Sequence, residues 1–115
     1  MTTGATVARE KLLRQELARF IDIVTQQMHP EYIILFGSLV TGQVDEWSDL
    51  DLVVIVHTDL PFHERIKQVL RRVHPQAGMD VLVYTPTEWA EMTRQRSFVR
   101  EEIVKKGRVV YERTC

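Results

Sequence analysis

The chain is short of cysteine, of charge of one sign and of long apolar runs, and each shortage excludes a class of protein. Its one cysteine, Cys115, has no partner for an intrachain disulfide, which excludes a disulfide-stapled scaffold and is compatible with a reducing compartment. Acidic and basic side chains nearly cancel, 16 against 15, for a net charge of −1 and a pI near 6.4. A module that grips nucleic acid through its phosphates carries a marked basic excess, so general nucleic-acid binding and polymerisation on a long template are not expected. No stretch approaches the roughly 18 apolar residues of a membrane span, and the opening residues lack the charged, apolar and small-residue pattern of a secretion signal. A cytoplasmic protein with no membrane partner is expected.

Several motifs are missing too. There is no Gly-x-x-x-x-Gly-Lys of a P-loop and no Gly-x-Gly-x-x-Gly of a dinucleotide fold, and Gly37-Ser38-Leu39 lacks the flanking glycines of a nucleophile elbow. The histidines His29, His57, His63 and His74 make no zinc-spaced pair on one element, and His29 and His74 directly precede prolines. Structural or exposed roles are expected for them.

What is present fits one small domain. A chain of 115 residues that is 44% hydrophobic can build one core, but not a catalytic domain plus a separate substrate domain, so residues 1–115 are read as a single unit. Residues 1–6 are polar and expected to fray. Leu13, Leu17, Phe20, Ile21, Val24 and Met28 then make one apolar helix face that His29-Pro30 ends. Tyr32 to Phe36 reads as a buried strand, and Leu52 to Val56 continues a second one out of Asp51. Pro61 opens a helix with Phe62, Ile66, Val69, Leu70 and Val73 at helical spacing, and Gly78-Met79-Asp80 leads into a third strand.

Thr85, Pro86 and Glu88 form a capping box ahead of Trp89 and Met92. A further helix from about Phe98 stops at Gly107, before an edge strand at Val109-Val110-Tyr111. The order helix, strand, strand, helix, strand, helices, strand describes an α/β (α+β) domain with a small mixed sheet flanked by helices.

The chemistry lies between the first two strands. Gly37-Ser38 is followed, after ten residues, by Asp49-Leu50-Asp51. Side chains alternate along a strand, so Asp49 and Asp51 share a face while Leu50 and Leu52 turn into the core. Two carboxylates on one face repel each other unless a cation sits between them, and hard oxygen ligands suit Mg²⁺, usually together with substrate phosphates. Gly37 lets the backbone turn sharply and a phosphate approach its N–H groups, and Ser38 adds a hydroxyl and a potential helix cap. Asp80 is the third carboxylate. If the first two strands are antiparallel and a helix returns the chain to a third strand parallel to the second, Gly37, Ser38, Asp49, Asp51 and Asp80 meet at one edge. Asp45 and Glu46 are read as solvated loop charges, and Arg65, Lys67, Arg71 and Arg72 as a solvated helix face. Trp47, just before the paired carboxylates, is placed to stack on a base, to meet a partner or to cover its own core.

Gly-Ser, ten residues, Asp-x-Asp and a distant Asp on a following strand together resemble the DNA polymerase β superfamily of nucleotidyltransferases, in particular its minimal nucleotidyltransferase branch. The resemblance runs from Tyr32 to Tyr84 and extends through Thr85–Trp89 and Phe98–Tyr111. One departure is visible: the branch usually has a basic residue after Gly-Ser, and Leu39-Val40-Thr41-Gly42 has none. The resemblance implies a nucleotidyltransferase fold and transfer of a nucleoside monophosphate, AMP from ATP, to a hydroxyl. Two Mg²⁺ ions would be held by Asp49, Asp51 and Asp80, with Gly37 and Ser38 at the nucleotide phosphates. It further implies an antitoxin paired with a helical HEPN-type ribonuclease toxin, and a tyrosine of that toxin as acceptor; a homo- or a hetero-oligomer is left open. Two alternatives stand beside it: a subunit that modifies small antibiotic-like hydroxyl compounds, and an antitoxin that neutralises by binding alone.

Overall fold

Alternating apolar residues in short runs, with amphipathic helices between them, give the chain a sheet covered on both faces. The computed structural model describes residues 3–114; Met1, Thr2 and Cys115 lie outside the described residues. The expected frayed opening is corrected from Thr3 onward. Thr3 is an N-cap whose hydroxyl accepts the Thr6 N–H at 3.1 Å, and α1 runs from Gly4 to Met28. An oxygen-bearing side chain at this position satisfies a helix N–H that otherwise has no partner.

The remaining elements follow the expected order. They are β1 (Tyr32–Phe36), a one-turn α2 (Ser38–Thr41), β2 (Leu50–Ile55), α3 (Phe62–Val73), β3 (Met79–Tyr84), α4 (Pro86–Gln95), α5 (Val99–Lys105) and β4 (Arg108–Glu112). The α2 turn was not anticipated, and α5 is wound as a π-helix. Both α1 and α3 end on a histidine in the left-handed region, His29 at φ 53° and His74 at φ 50°, each ahead of a proline. A residue before proline is barred from continuing the right-handed helix, so the chain turns there.

The sheet order is β3-β2-β1-β4, with β1 antiparallel to β2 and β4, and β2 parallel to β3 through the α3 crossover. A single small α+β domain with a mixed sheet results, and among the described residues no helix is long and apolar enough to cross a membrane. One face carries Ile33, Leu35, Leu52, Val54 and Val83 against Leu13, Phe20 and Val24 of α1 and Val69 and Val73 of α3. The other carries Ile34, Val53 and Ile55 against Ile103 of α5, with Tyr84 and Trp89 packed on them.

Two polar pairs fix the layers. Glu16 of α1, 4% exposed, accepts from Arg19 at 2.9 Å and from the Gln76 N–H at 2.9 Å. Arg19 in turn donates to the carbonyls of Val73 and His74. The end of α3 and the approach to β3 are thereby tied to α1. Arg65 is also buried, at 8% exposure, and forks onto Glu88, which closes the capping box with Thr85. The expected solvated basic face is corrected on this point: Lys67, Arg71 and Arg72 are exposed, but Arg65 points inward to pin α4.

Candidate active site

Strand register brings two of the three expected carboxylates side by side. Asp51 on β2 lies beside Asp80 on β3 in the parallel ladder and opposite Phe36, the last residue of β1. Asp49 immediately precedes β2, with Leu50 and Leu52 fully buried on the opposite face. Asp80 and Asp49 are exposed while Asp51 is partly buried. Burial first, then the Asp80 charge, a hydrogen bond shared with Asp80 and the Asp49 charge together push the Asp51 carboxyl up to about 6. Burial alone raises a carboxyl in this way, and the Asp80 and Asp49 charges add to it at an edge rich in negative charge.

Gly37 closes the site from the β1 side. Its backbone, at φ 82° and ψ −155°, lies in a region that only glycine occupies readily, and a Cβ there would overlap the Asp51 carboxylate. The glycine is required by the carboxylate packed against it as well as by the turn. Gly37 is the N-cap of α2 and Ser38 its first residue, so the potential capping role of Ser38 is corrected. The Val40 and Thr41 N–H groups both bond back to the Gly37 carbonyl. Gly78, just before β3, has the same relation to Asp49 that Gly37 has to Asp51.

Arg9 is a site residue that the motif spacing does not reveal. It reaches from the second turn of α1 to donate through Nε to the Ser48 carbonyl at 2.7 Å, with Nη2 3.5 Å from Asp49 Oδ1. A signal existed: Arg9 lies four residues before Leu13, on the stripe that turns toward the protein body. Trp47 is 80% exposed in the loop before Asp49 and covers no core, which removes one of its three expected roles.

Asp49, Asp51 and Asp80 offer the hard oxygen donors that Mg²⁺ accepts, and the like charges of Asp80 and Asp49, which add to burial at Asp51, fit a cation bound there. Asp49 as it stands is paired with Arg9, and among the described residues no three His, Cys, Asp or Glu side chains converge on a single point.

Residues 19–114 match the family model described as polymerase beta, nucleotidyltransferase. Over 103 residues, covering 87% of this chain and 82% of the relative, the sequence is 30% identical to the probable protein adenylyltransferase MntA of Haemophilus influenzae. The fold superposes with a TM-score of 0.70 on a candidate nucleotidyltransferase from Sulfolobus solfataricus at 15% identity, covering 97% of this chain and 91% of that one. It superposes with a TM-score of 0.55 on a chain of a toxin–antitoxin crystallised with AMP-PNP at 19% identity, covering 84% and 73%. These last two likenesses bear on the fold, whereas the family match spans all three aspartates. The chain belongs to the polymerase β nucleotidyltransferase family, among the small members related to MntA.

Proposed function

We propose that this protein transfers AMP from ATP to a hydroxyl on a partner protein and acts as the antitoxin of that partner, a tyrosine of a helical HEPN-type toxin being the acceptor. The observation that carries the reading is the adjacency of Asp51 and Asp80 in the β2–β3 ladder, with Asp49 on the same edge and Gly37 packed against Asp51. The family supplies the reaction class. The name of MntA and the toxin–antitoxin relative support protein adenylylation and a toxin partner.

In this reading Asp49, Asp51 and Asp80 would hold Mg²⁺, which would neutralise phosphate charge and make the acceptor hydroxyl easier to ionise. Gly37 and Ser38 border the phosphates. The acceptor oxygen forms a bond to the α-phosphorus as the bond from that phosphorus to the bridging oxygen breaks, and pyrophosphate leaves. Asp80, the exposed carboxylate of the adjacent pair, would take the acceptor proton. The surface that presents the acceptor would come from the partner.

Intact-mass spectrometry of the chain mixed with its helical partner, ATP and Mg²⁺ tests this, the expected result being a gain of one or more AMP units on a partner hydroxyl. A stable complex whose partner never gains mass would replace the reading with an antitoxin that works by binding. Efficient modification of free hydroxyl compounds by the isolated chain would replace it with a small-molecule nucleotidyltransferase.

A further inference from the structure

We propose that Arg9 recognises the triphosphate of the incoming nucleotide, and that in the free protein its guanidinium holds Asp49 in place of the metal. The inference rests on the reading of Asp49, Asp51 and Asp80 as a metal–nucleotide site and goes beyond the family match, which begins at residue 19 and so does not include Arg9.

Four observations carry it. First, the turn Leu39-Val40-Thr41-Gly42 offers no cation, although a triphosphate brings several negative charges to an edge that already holds three carboxylates. Second, among the described residues Arg9 makes the only ion pair to any of the three aspartates. Third, its Nε bond to the Ser48 carbonyl is short, and it anchors the planar head beside Asp49. That bond is the one hydrogen bond the guanidinium makes among the described residues, which leaves its two Nη groups as donors in the fork geometry that suits phosphate oxygens. Fourth, the contact to Asp49 is loose, 3.5 Å long with the carboxylate side chain 47% exposed, so it is easily given up.

These observations describe a cation with two alternative partners. While Asp49 is free of metal, Arg9 is its counter-charge. A metal ion on Asp49 removes that attraction, and the Nη groups turn to phosphate while Nε remains on Ser48. The same arginine therefore opposes binding of the metal alone and favours binding of metal with nucleotide, which links the two in one step.

The two roles carry opposite signs, and that makes them separable. Calorimetric titration with ATP and Mg²⁺, Mn²⁺ binding followed by electron paramagnetic resonance without nucleotide, and thermal melting are compared for the wild type, Arg9→Gln and Arg9→Lys. Arg9→Gln is expected to weaken ATP–Mg²⁺ binding by about tenfold or more, the loss of a charge-assisted hydrogen bond. It is also expected to tighten Mn²⁺ binding in the absence of nucleotide. Arg9→Lys, which keeps the charge and loses the fork, should fall between the wild type and Arg9→Gln on both measures, and it carries the test if Arg9→Gln does not fold. A lower melting temperature with both affinities at wild-type values would make Arg9 a clamp on the Ser48 loop and overturn the inference. A wild-type protein that binds no ATP with Mg²⁺ would overturn the reading of the site itself, and this inference with it.

Discussion

Gly78 and Asp49 occupy a space that admits one side chain: a Cβ on Gly78 would collide with the Asp49 carboxylate. With Arg9 beside Asp49 as well, the carboxylate lies between α1 and the approach to β3. Gly78 has no left-handed backbone angle, so its lack of a side chain answers to Asp49 and not to the turn.

Gly78→Ala therefore tests placement separately from stability. The clash is with the end of a short exposed side chain, so moving Asp49 relieves it, and unfolding free energy should change by less than about 1 kcal/mol. Nucleotide transfer should nevertheless fall by about tenfold or more, because a ligand group displaced by a fraction of an ångström no longer fits. Melting and turnover measured on one preparation give the answer, and full activity would show that Asp49 tolerates displacement.

Gly37 predicts a different pattern. From the sequence alone, a side chain there is expected to weaken ATP binding more than it lowers stability. The positive φ and the contact with Asp51 add a backbone cost of about 1–3 kcal/mol, larger for a β-branched residue. Gly37→Val should thus lose thermal stability and ATP affinity together. A variant that melts with the wild type would show that the loop relaxes into another conformation.

The first three strands, their pairing and the meeting of Asp51 with Asp80 were legible, because alternation is local and a helix between two strands makes them parallel, whereas the place of β4 beside β1 was not. Alternation fixes the face on which Asp49 and Asp51 lie, and the two histidine–proline pairs mark where helices must end. The unread parts depend on contacts made at long range. Arg9 meets Ser48 across 39 residues and Glu16 meets Gln76 across 60. Spacing shows that Arg9 and Glu16 share the stripe of Leu13 and Phe20, but not what waits opposite them. Arg65 was misread for the same reason, since its partner Glu88 lies beyond β3. The α2 turn follows from the left-handed Gly42 and the Gly37 geometry, which composition does not specify.

The Glu16–Arg19 pair predicts how the fold responds to acid. The Arg19 hydrogen bond first, and the Gln76 N–H after it, hold the Glu16 carboxyl below its usual range against the opposing effect of burial. A carboxylate depressed in the folded state stabilises it above the unfolded pKa of about 4.3, and that contribution is lost as pH falls through the lower folded value. Glu16→Gln should cost about 1–3 kcal/mol at neutral pH, by weakening the charged bonds that hold the approach to β3. The gap from wild type should close below about pH 4. Urea melts across that range measure it, and a gap independent of pH would assign the loss to packing.

Asp51 carries the opposite sign, and it separates function from stability at a single atom. Its carboxyl is pushed up to about 6, so above that pH its ionised form weighs against the folded state, whereas protonation below it favours folding. Replacing it with asparagine keeps the shape and removes the charge. Asp51→Asn should raise the melting temperature by a few degrees at pH 8, with the gain shrinking as pH falls toward 4, where the native carboxyl is already neutral. The same variant, alone or with Asp49→Asn, should be unable to transfer a nucleotide, because the group that opposes folding when bare is the one proposed to hold the metal. Melting curves at several pH values, set beside mass spectrometry of the partner, test both halves. A destabilised Asp51→Asn would mean that the carboxylate is held by hydrogen bonds stronger than the burial and repulsion that oppose it, and undiminished transfer would remove Asp51 from the reaction.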